Sequence, residues 1–169
     1  MTARRVGTAA EAAAYIQASD SVAVGLGPAH PGGFLHALGD RDDWVDLQLF
    51  GALLTDLYAV FTKEAVHYRS GFFGPAERFL RDAGADIQYV PADFRRFGPI
   101  VEQLAPRVMA TATAPPDADG YCSLSLHAGA TVDRCGTTDA VPSSRDSTPS
   151  RARRSRPRER ALRRARRPR

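Results

Sequence analysis

The sequence predicts a doubly wound α/β fold on a mostly parallel sheet. Three observations carry this: β-branched or alternating runs recur about every 20 to 24 residues, several break off at glycine, and helix-forming segments fill the intervals. Intervals of that length suit strand–helix–strand crossovers and exceed what hairpins need. At 169 residues and 43% hydrophobic content, the chain can fill the core of about one domain.

Thr8 followed by Glu11 forms a capping box ahead of AAEAAAYIQA, so a helix is expected there, stopping near Ser19 and Asp20. SVAVGLG then gives a short strand over 21–24 that ends in Gly25-Leu26-Gly27, with Pro31 opening a helix and Gly39 closing it. VDLQLF, 45–50, alternates as a second strand and meets Gly51, after which Leu54, Leu57, Tyr58 and Phe61 fall at helical spacing on one face. A third strand begins at Val66, and Pro75 and Gly84 bracket the helix PAERFLRDA. DIQYVP supplies a fourth strand from about Asp86, a short helix is expected over 99–104, and RVMATAT supplies a fifth strand from Arg107.

Ligands of open α/β sheets bind at the carboxyl ends of the strands, which puts Gly25, Gly27, Gly51, Ser70 and the loop after Thr113 on the functional rim. In that loop, Pro115-Pro116 stops the strand, residues 117–120 are turn chemistry, and YCSLS restarts an extended segment.

Charge divides the chain in two. Residues 134–169 hold 13 of the 23 basic and 3 of the 19 acidic residues, a net +10, leaving 10 basic and 16 acidic residues and a net −6 in 1–133. An acidic body has no electrostatic claim on DNA or an anionic membrane. The tail has no Phe, Tyr, Trp, Ile, Met or Lys, and Val141 and Leu162 are its only large aliphatics, so it is expected to be disordered. A genuine arginine-rich arm would bind nucleic acid, but such arms mix Lys with Arg and join domains that are not acidic. A reading-frame shift just after Asp133 accounts for it better: with Lys63 the only lysine and Ala, Gly, Arg, Pro and Asp abundant, the codons are GC-rich, and out-of-frame GC-rich DNA yields Arg, Pro, Ala and Ser. No apolar run reaches the roughly 18 to 20 residues that span a bilayer, and no signal-like segment develops, so a cytoplasmic protein is expected.

GLGPAHPGG is not a dinucleotide fingerprint. His30 stands at the third glycine position, and the second strand ends at Phe50-Gly51 without an acidic residue for a ribose. The turn is either a tight strand-to-helix corner or a place where a carboxylate or thioester approaches the backbone. His30, His36, His67 and His127 form no HxH, HExxH or GxSxG frame and are expected on the rim or in solvent, with no metal site. Cys122 and Cys135 suit ordinary thiols. Phe72, Phe73, Phe79, Tyr89, Phe94 and Phe97 are expected in the core.

SDSVAVGLG, LQLFG, HYRSGFF, DIQYVPADF and APPDADGYCSLSLHAGATVD, in this order and spacing, resemble the N-terminal domain of the acetyl-CoA hydrolase/transferase family, family I CoA-transferases related to 4-hydroxybutyrate CoA-transferase. The similarity covers about residues 8–133, and its most specific element, PPDADGYCSLS, resembles the family's PPD-x-x-GYCSLG, with Ser125 in place of the last Gly. The resemblance implies an enzyme that takes coenzyme A as a substrate, with no bound cofactor, moving it between an acyl-CoA and a small carboxylate, or hydrolysing acetyl-CoA, through a glutamyl-CoA thioester. It also implies that the nucleophilic glutamate lies in a second α/β domain. None of Glu11, Glu64, Glu77, Glu102 and Glu159 matches the family's catalytic segment, so no catalytic residue is assigned.

The expectation is an N-terminal CoA-transferase-like domain, incomplete, over 1–133, inactive without its second domain, and a tail over 134–169. Its substrate-binding residues would be Gly25, Gly27, Gly51, Ser70 and Gly120, and a homo-oligomer is compatible with it. A sugar-phosphate isomerase of similar fold and a nucleic-acid-associated protein using the tail are the alternatives.

Overall fold

The computed structural model describes residues 7–115, 123–124 and 139–143. In chain order the elements are α1 (Ala9–Ala14), β1 (Ser19–Leu26), a 3₁₀ turn (Gly27–Ala29), α2 (Gly32–Gly39), β2 (Asp46–Ala52), a second 3₁₀ turn (Ala59–Thr62), β3 (Val66–Ser70), α3 (Pro75–Asp82), β4 (Ile87–Tyr89), α4 (Phe94–Leu104), β5 (Val108–Ala112) and β6 (Asp139–Ser143). The strands form one sheet in the order β4-β3-β2-β1-β5-β6. Every pairing in it is parallel.

The doubly wound α/β sheet expected from the sequence is what forms. One face carries the main core, in which Val22 and Val24 of β1, Leu47 and Leu49 of β2, Val66 and Tyr68 of β3 and Val108 and Ala110 of β5 pack with α1, α2 and the second 3₁₀ turn. Leu80 of α3 joins the same cluster. The intervening residues Ala23, Phe50 and Met109 point the other way and meet Val101 of α4, with Phe97, Ile100 and Leu104 around them. At the mouths of β1 and β5, the buried Asp20 carboxylate is gripped by the Arg107 guanidinium. Burial alone would raise the Asp20 carboxyl, but hydrogen bonds from Arg107 and the backbone N–H groups of Gln17 and Ser21 hold it below its ordinary value.

The capping box is present: Glu11 N–H donates to Thr8 Oγ1 at 3.2 Å and Thr8 N–H to Glu11 at 2.7 Å. The helix stops five residues before Ser19, at Ala14. Gly84, at φ +98°, closes α3 in a conformation that L side chains rarely adopt.

Three expectations are corrected. Residues 54–61 form no α-helix, because Leu53 takes a left-handed φ of 54° and the Leu54 N–H is drawn 2.7 Å onto Glu77, leaving only the 3₁₀ turn that follows. α4 begins at Phe94, five residues before Pro99, because the Asp93 carboxylate caps it through the N–H groups of Arg95 and Arg96. Of the aromatic residues expected in the core, Phe72, Phe79, Tyr89 and Phe94 are exposed, and only Phe73 and Phe97 pack partly into it. Among the described residues the core aromatics are Phe34, Trp44, Phe50, Tyr58, Phe61 and Tyr68.

Asp139–Ser143 pairs with β5 as an edge strand, a position that tolerates Pro142, which has no N–H to donate. The rest of 134–169 lies outside the described residues. Among the described residues no helix is long and apolar enough to cross a membrane.

Candidate functional site

The sheet order reverses direction at β1, whose neighbours are β2 and β5. In sheets of this kind the crevice outside the carboxyl ends of the strands at such a switch point receives the ligand. Here that crevice lies between the turn after β1 and the end of β5. The turn is fixed by Gly27, whose φ of +50° a side chain would strain. The His30 N–H returns to Gly27 O at 2.9 Å, and Thr111 Oγ1 of β5 donates to Ala29 O at 3.3 Å, so the two edges of the crevice are tied together. Beyond β5 the chain turns back: Thr113 bridges Leu124 in antiparallel fashion, and the Ala114 N–H reaches Ser123 O at 2.8 Å. The expected extended restart of YCSLS is therefore visible at Ser123 and Leu124.

Gly25 and Gly27 lie at the end of β1, with Gly51 and Ser70 paired at the ends of β2 and β3, and the space at Gly25, Gly51 and Ser70 is taken by protein. A Cβ at Gly25 would sit 2.6 Å from Ala29 O and 2.9 Å from Thr111 Oγ1, so glycine is needed there to let the turn close onto β5. At Gly51 it would sit 2.6 Å from Val24 Cγ2 and 3.0 Å from the Tyr68 hydroxyl. Ser70 is fully buried, its hydroxyl within 2.9 Å of Phe72 O and 3.1 Å of Glu77 Oε1. Gly120, and most of the segment around it, lies outside the described residues.

Glu77 organises the loop next to the crevice. Its fully buried carboxylate accepts from the N–H groups of Leu54 at 2.7 Å and Gly74 at 3.0 Å as well as facing Ser70. That set of donors pins the left-handed Leu53, whose side chain lies 3.5 Å from where a Cβ on Gly27 would be.

His30 was expected on the rim or in solvent; it lies at the rim but is buried, with 6% of its surface exposed. Burial pushes its imidazole down to about 4, so it is neutral at physiological pH. Its Nδ1 lies 3.5 Å from Thr55 Oγ1, and the Tyr58 ring meets it edge-on at 6.4 Å. Among the described residues Nε2 has no partner, and neither does the buried Thr113 Oγ1 at the end of β5. An unsatisfied buried polar group costs about 1–3 kcal/mol. The local signal that could have found His30 is its position, three residues past Gly27 at the carboxyl end of β1 and flanked by Pro28 and Pro31.

The other histidines lie elsewhere. His36 is exposed beside Tyr58 and Asp56, and His67 sits on β3 with its Nδ1 2.6 Å from Asp86, while His127 lies outside the described residues. Among the described residues no three His, Cys, Asp or Glu side chains converge to hold a metal ion.

Solved structures share this fold. A RipA variant matches with a TM-score of 0.68 at 23% identity over 82% of this chain and 35% of that one. RipA from Yersinia pestis matches at 0.66 and 20% identity over 90% of this chain and 45% of that one. A 4-hydroxybutyrate CoA-transferase from Porphyromonas gingivalis matches at 0.52 and 16% identity over 82% and 32%. At these identities the likeness is one of fold, and the chain spans under half the length of each of these proteins. No family model and no curated protein matches the sequence.

Proposed function

We propose that residues 1–133 are the pocket-forming N-terminal domain of an enzyme that moves CoA between an acyl-CoA and a small carboxylate, or hydrolyses the acyl-CoA. The observation that carries this is the crevice at the β1/β5 switch point, in a fold shared with part of a 4-hydroxybutyrate CoA-transferase. The residue series that resembles the acetyl-CoA hydrolase/transferase family includes GLG at the floor of this crevice and PPDADGYCSLS, which follows β5 in the sequence.

In the proposed reaction a glutamate carboxylate attacks the thioester carbonyl, the C–S bond breaks, and the CoA thiolate leaves a mixed anhydride. The thiolate then attacks the glutamyl carbonyl, releasing the acyl group as a carboxylate and leaving glutamyl-CoA. A second carboxylate then attacks the glutamyl-CoA carbonyl and expels the CoA thiolate, which attacks the acyl carbonyl of the new anhydride to give the new acyl-CoA and free glutamate; water in its place hydrolyses glutamyl-CoA to glutamate and CoA. Backbone N–H groups of the turn at 25–27 would stabilise the oxyanions that develop. Glu77 stands behind this edge, but its carboxylate is committed to three donors, which suits a positioning role. The nucleophile is therefore assigned to a second domain, and the chain alone is expected to be inactive.

The test is to resequence the gene across codons 130–136, translate every downstream frame, and assay acetyl-CoA cleavage and CoA transfer to acetate by the 169-residue chain and by the frame-restored product. No turnover by the chain, with turnover by a product holding a second α/β domain, supports the proposal. Robust turnover by the 169-residue chain overturns the assignment of the nucleophile elsewhere.

A further inference from the structure

His30 belongs to no hydrogen-bond network that explains its burial. It is more than nine-tenths buried, and its backbone closes the β1 turn through Gly27 O and Gly32 N–H. Its side chain spends only one nitrogen, against Thr55 at 3.5 Å. Among the described residues Nε2 is left without a partner at the carboxyl end of β1, where ligands of such sheets bind. Across the crevice, Thr111 Oγ1 ties β5 to Ala29, the residue before His30, and two residues further along Thr113 Oγ1 is also buried without a partner. Buried polar side chains are hydrogen-bonded in the great majority of cases, so a nine-tenths buried imidazole with a nitrogen unpartnered among the described residues, at the switch point where such sheets bind ligands, is a place for a ligand to supply the partner.

We infer that His30 Nε2 is a ligand-binding group, donating a hydrogen bond to an oxygen of the substrate's acyl or carboxylate end, with Thr113 Oγ1 as a second contact. The inference rests on the acyl-CoA reading above. The inference takes the tautomer in which the Thr55 hydroxyl donates to Nδ1 and the single imidazole proton sits on Nε2; the 3.5 Å contact is compatible with it. A neutral donor suits this position because it binds a carbonyl or carboxylate oxygen without becoming a fixed counter-ion that would hold the released carboxylate. No proton is transferred, so His30 selects and orients substrate while the carboxylate nucleophile performs the chemistry.

The experiment is a titration of the full 169-residue chain with sodium acetate, and separately with acetyl-CoA, following the imidazole nitrogens of the histidines by long-range ¹H–¹⁵N NMR. The expected result is a saturable shift at His30 Nε2, with His36 and His67 unmoved. Acetate binding should weaken at least tenfold in His30→Phe and stay within about threefold in His30→Gln, which keeps a donor. Ligand binding that leaves the His30 resonances unmoved overturns the His30 assignment alone and leaves the acyl-CoA reading standing; so does unchanged affinity in His30→Phe. Failure of both acetate and acetyl-CoA to bind the wild-type chain overturns both. The wild-type titration needs no variant, so a folding defect in His30→Phe does not protect the inference.

Discussion

Along β3, Val66, Tyr68 and Ser70 are buried on one side of the sheet while His67 and Arg69 remain partly exposed on the other. The same division runs through β2, where Leu47 and Leu49 enter the main core and Gln48 lies opposite, bonded 2.6 Å from Asp46. Parallel sheets ordinarily have both faces covered and read as continuous apolar runs. Here α4 covers the second face over Ala23, Phe50 and Met109, and leaves β3 and β4 to polar side chains that satisfy one another, His67 with Asp86 foremost. The difference teaches where stability resides: on the face of α1, α2 and α3, with the opposite face of β3 and β4 free to vary.

Truncating Tyr68, fully buried and 4.5 Å from the Phe61 ring, should cost the most, about 3–5 kcal/mol in urea unfolding for Tyr68→Ala. Glu77→Ala strips the Leu54 and Gly74 N–H groups and the Ser70 hydroxyl of their acceptor and should cost about 3 kcal/mol by the same measurement, with the loop around Leu53 losing amide-exchange protection first. Asp20→Ala should cost about 2 kcal/mol, since it removes a charge-assisted pair at the mouths of the two central strands. Because the folded Asp20 lies below its ordinary 3.8, its contribution is complete above that value and is lost as pH falls through the lower folded value. Acid titration of unfolding should therefore show a component below about pH 4 that Asp20→Ala lacks. His67→Ala, on the polar face, should stay within about 0.5 kcal/mol. A loss there comparable to that of Tyr68→Ala would break the contrast between the faces.

The sheet was legible because its signals are local: alternation within strands, glycine at their ends, and the Thr8 and Glu11 box. What escaped was set by distant partners. The spacing of Leu54, Leu57, Tyr58 and Phe61 satisfies a helix as well as it satisfies a loop tucked under one, and the deciding contact, from Leu54 to Glu77, spans 23 residues. Aromatic residues on successive elements gave no sign of which face they occupy, so Phe72 and Phe94 were expected inside and are outside. At the candidate site the rim positions were readable from the strand ends. The burial of His30 was not, because it follows from the packing of Thr55 and Tyr58 over the β1 turn.

Among the described strands β1 comes first in chain order, yet one of its edges is completed only by β5, through Val22↔Val108, Ala23↔Met109 and Val24↔Ala110. Pairings at such sequence separation place the fold among slow folders, since loop closure must precede any gain from contact. A nascent chain halted before residue 108 would present the Val22-Ala23-Val24 backbone as an open, apolar edge, the template on which neighbouring chains pair. Ribosome-bound lengths on either side of β5 should thus divide sharply in their demand for chaperones.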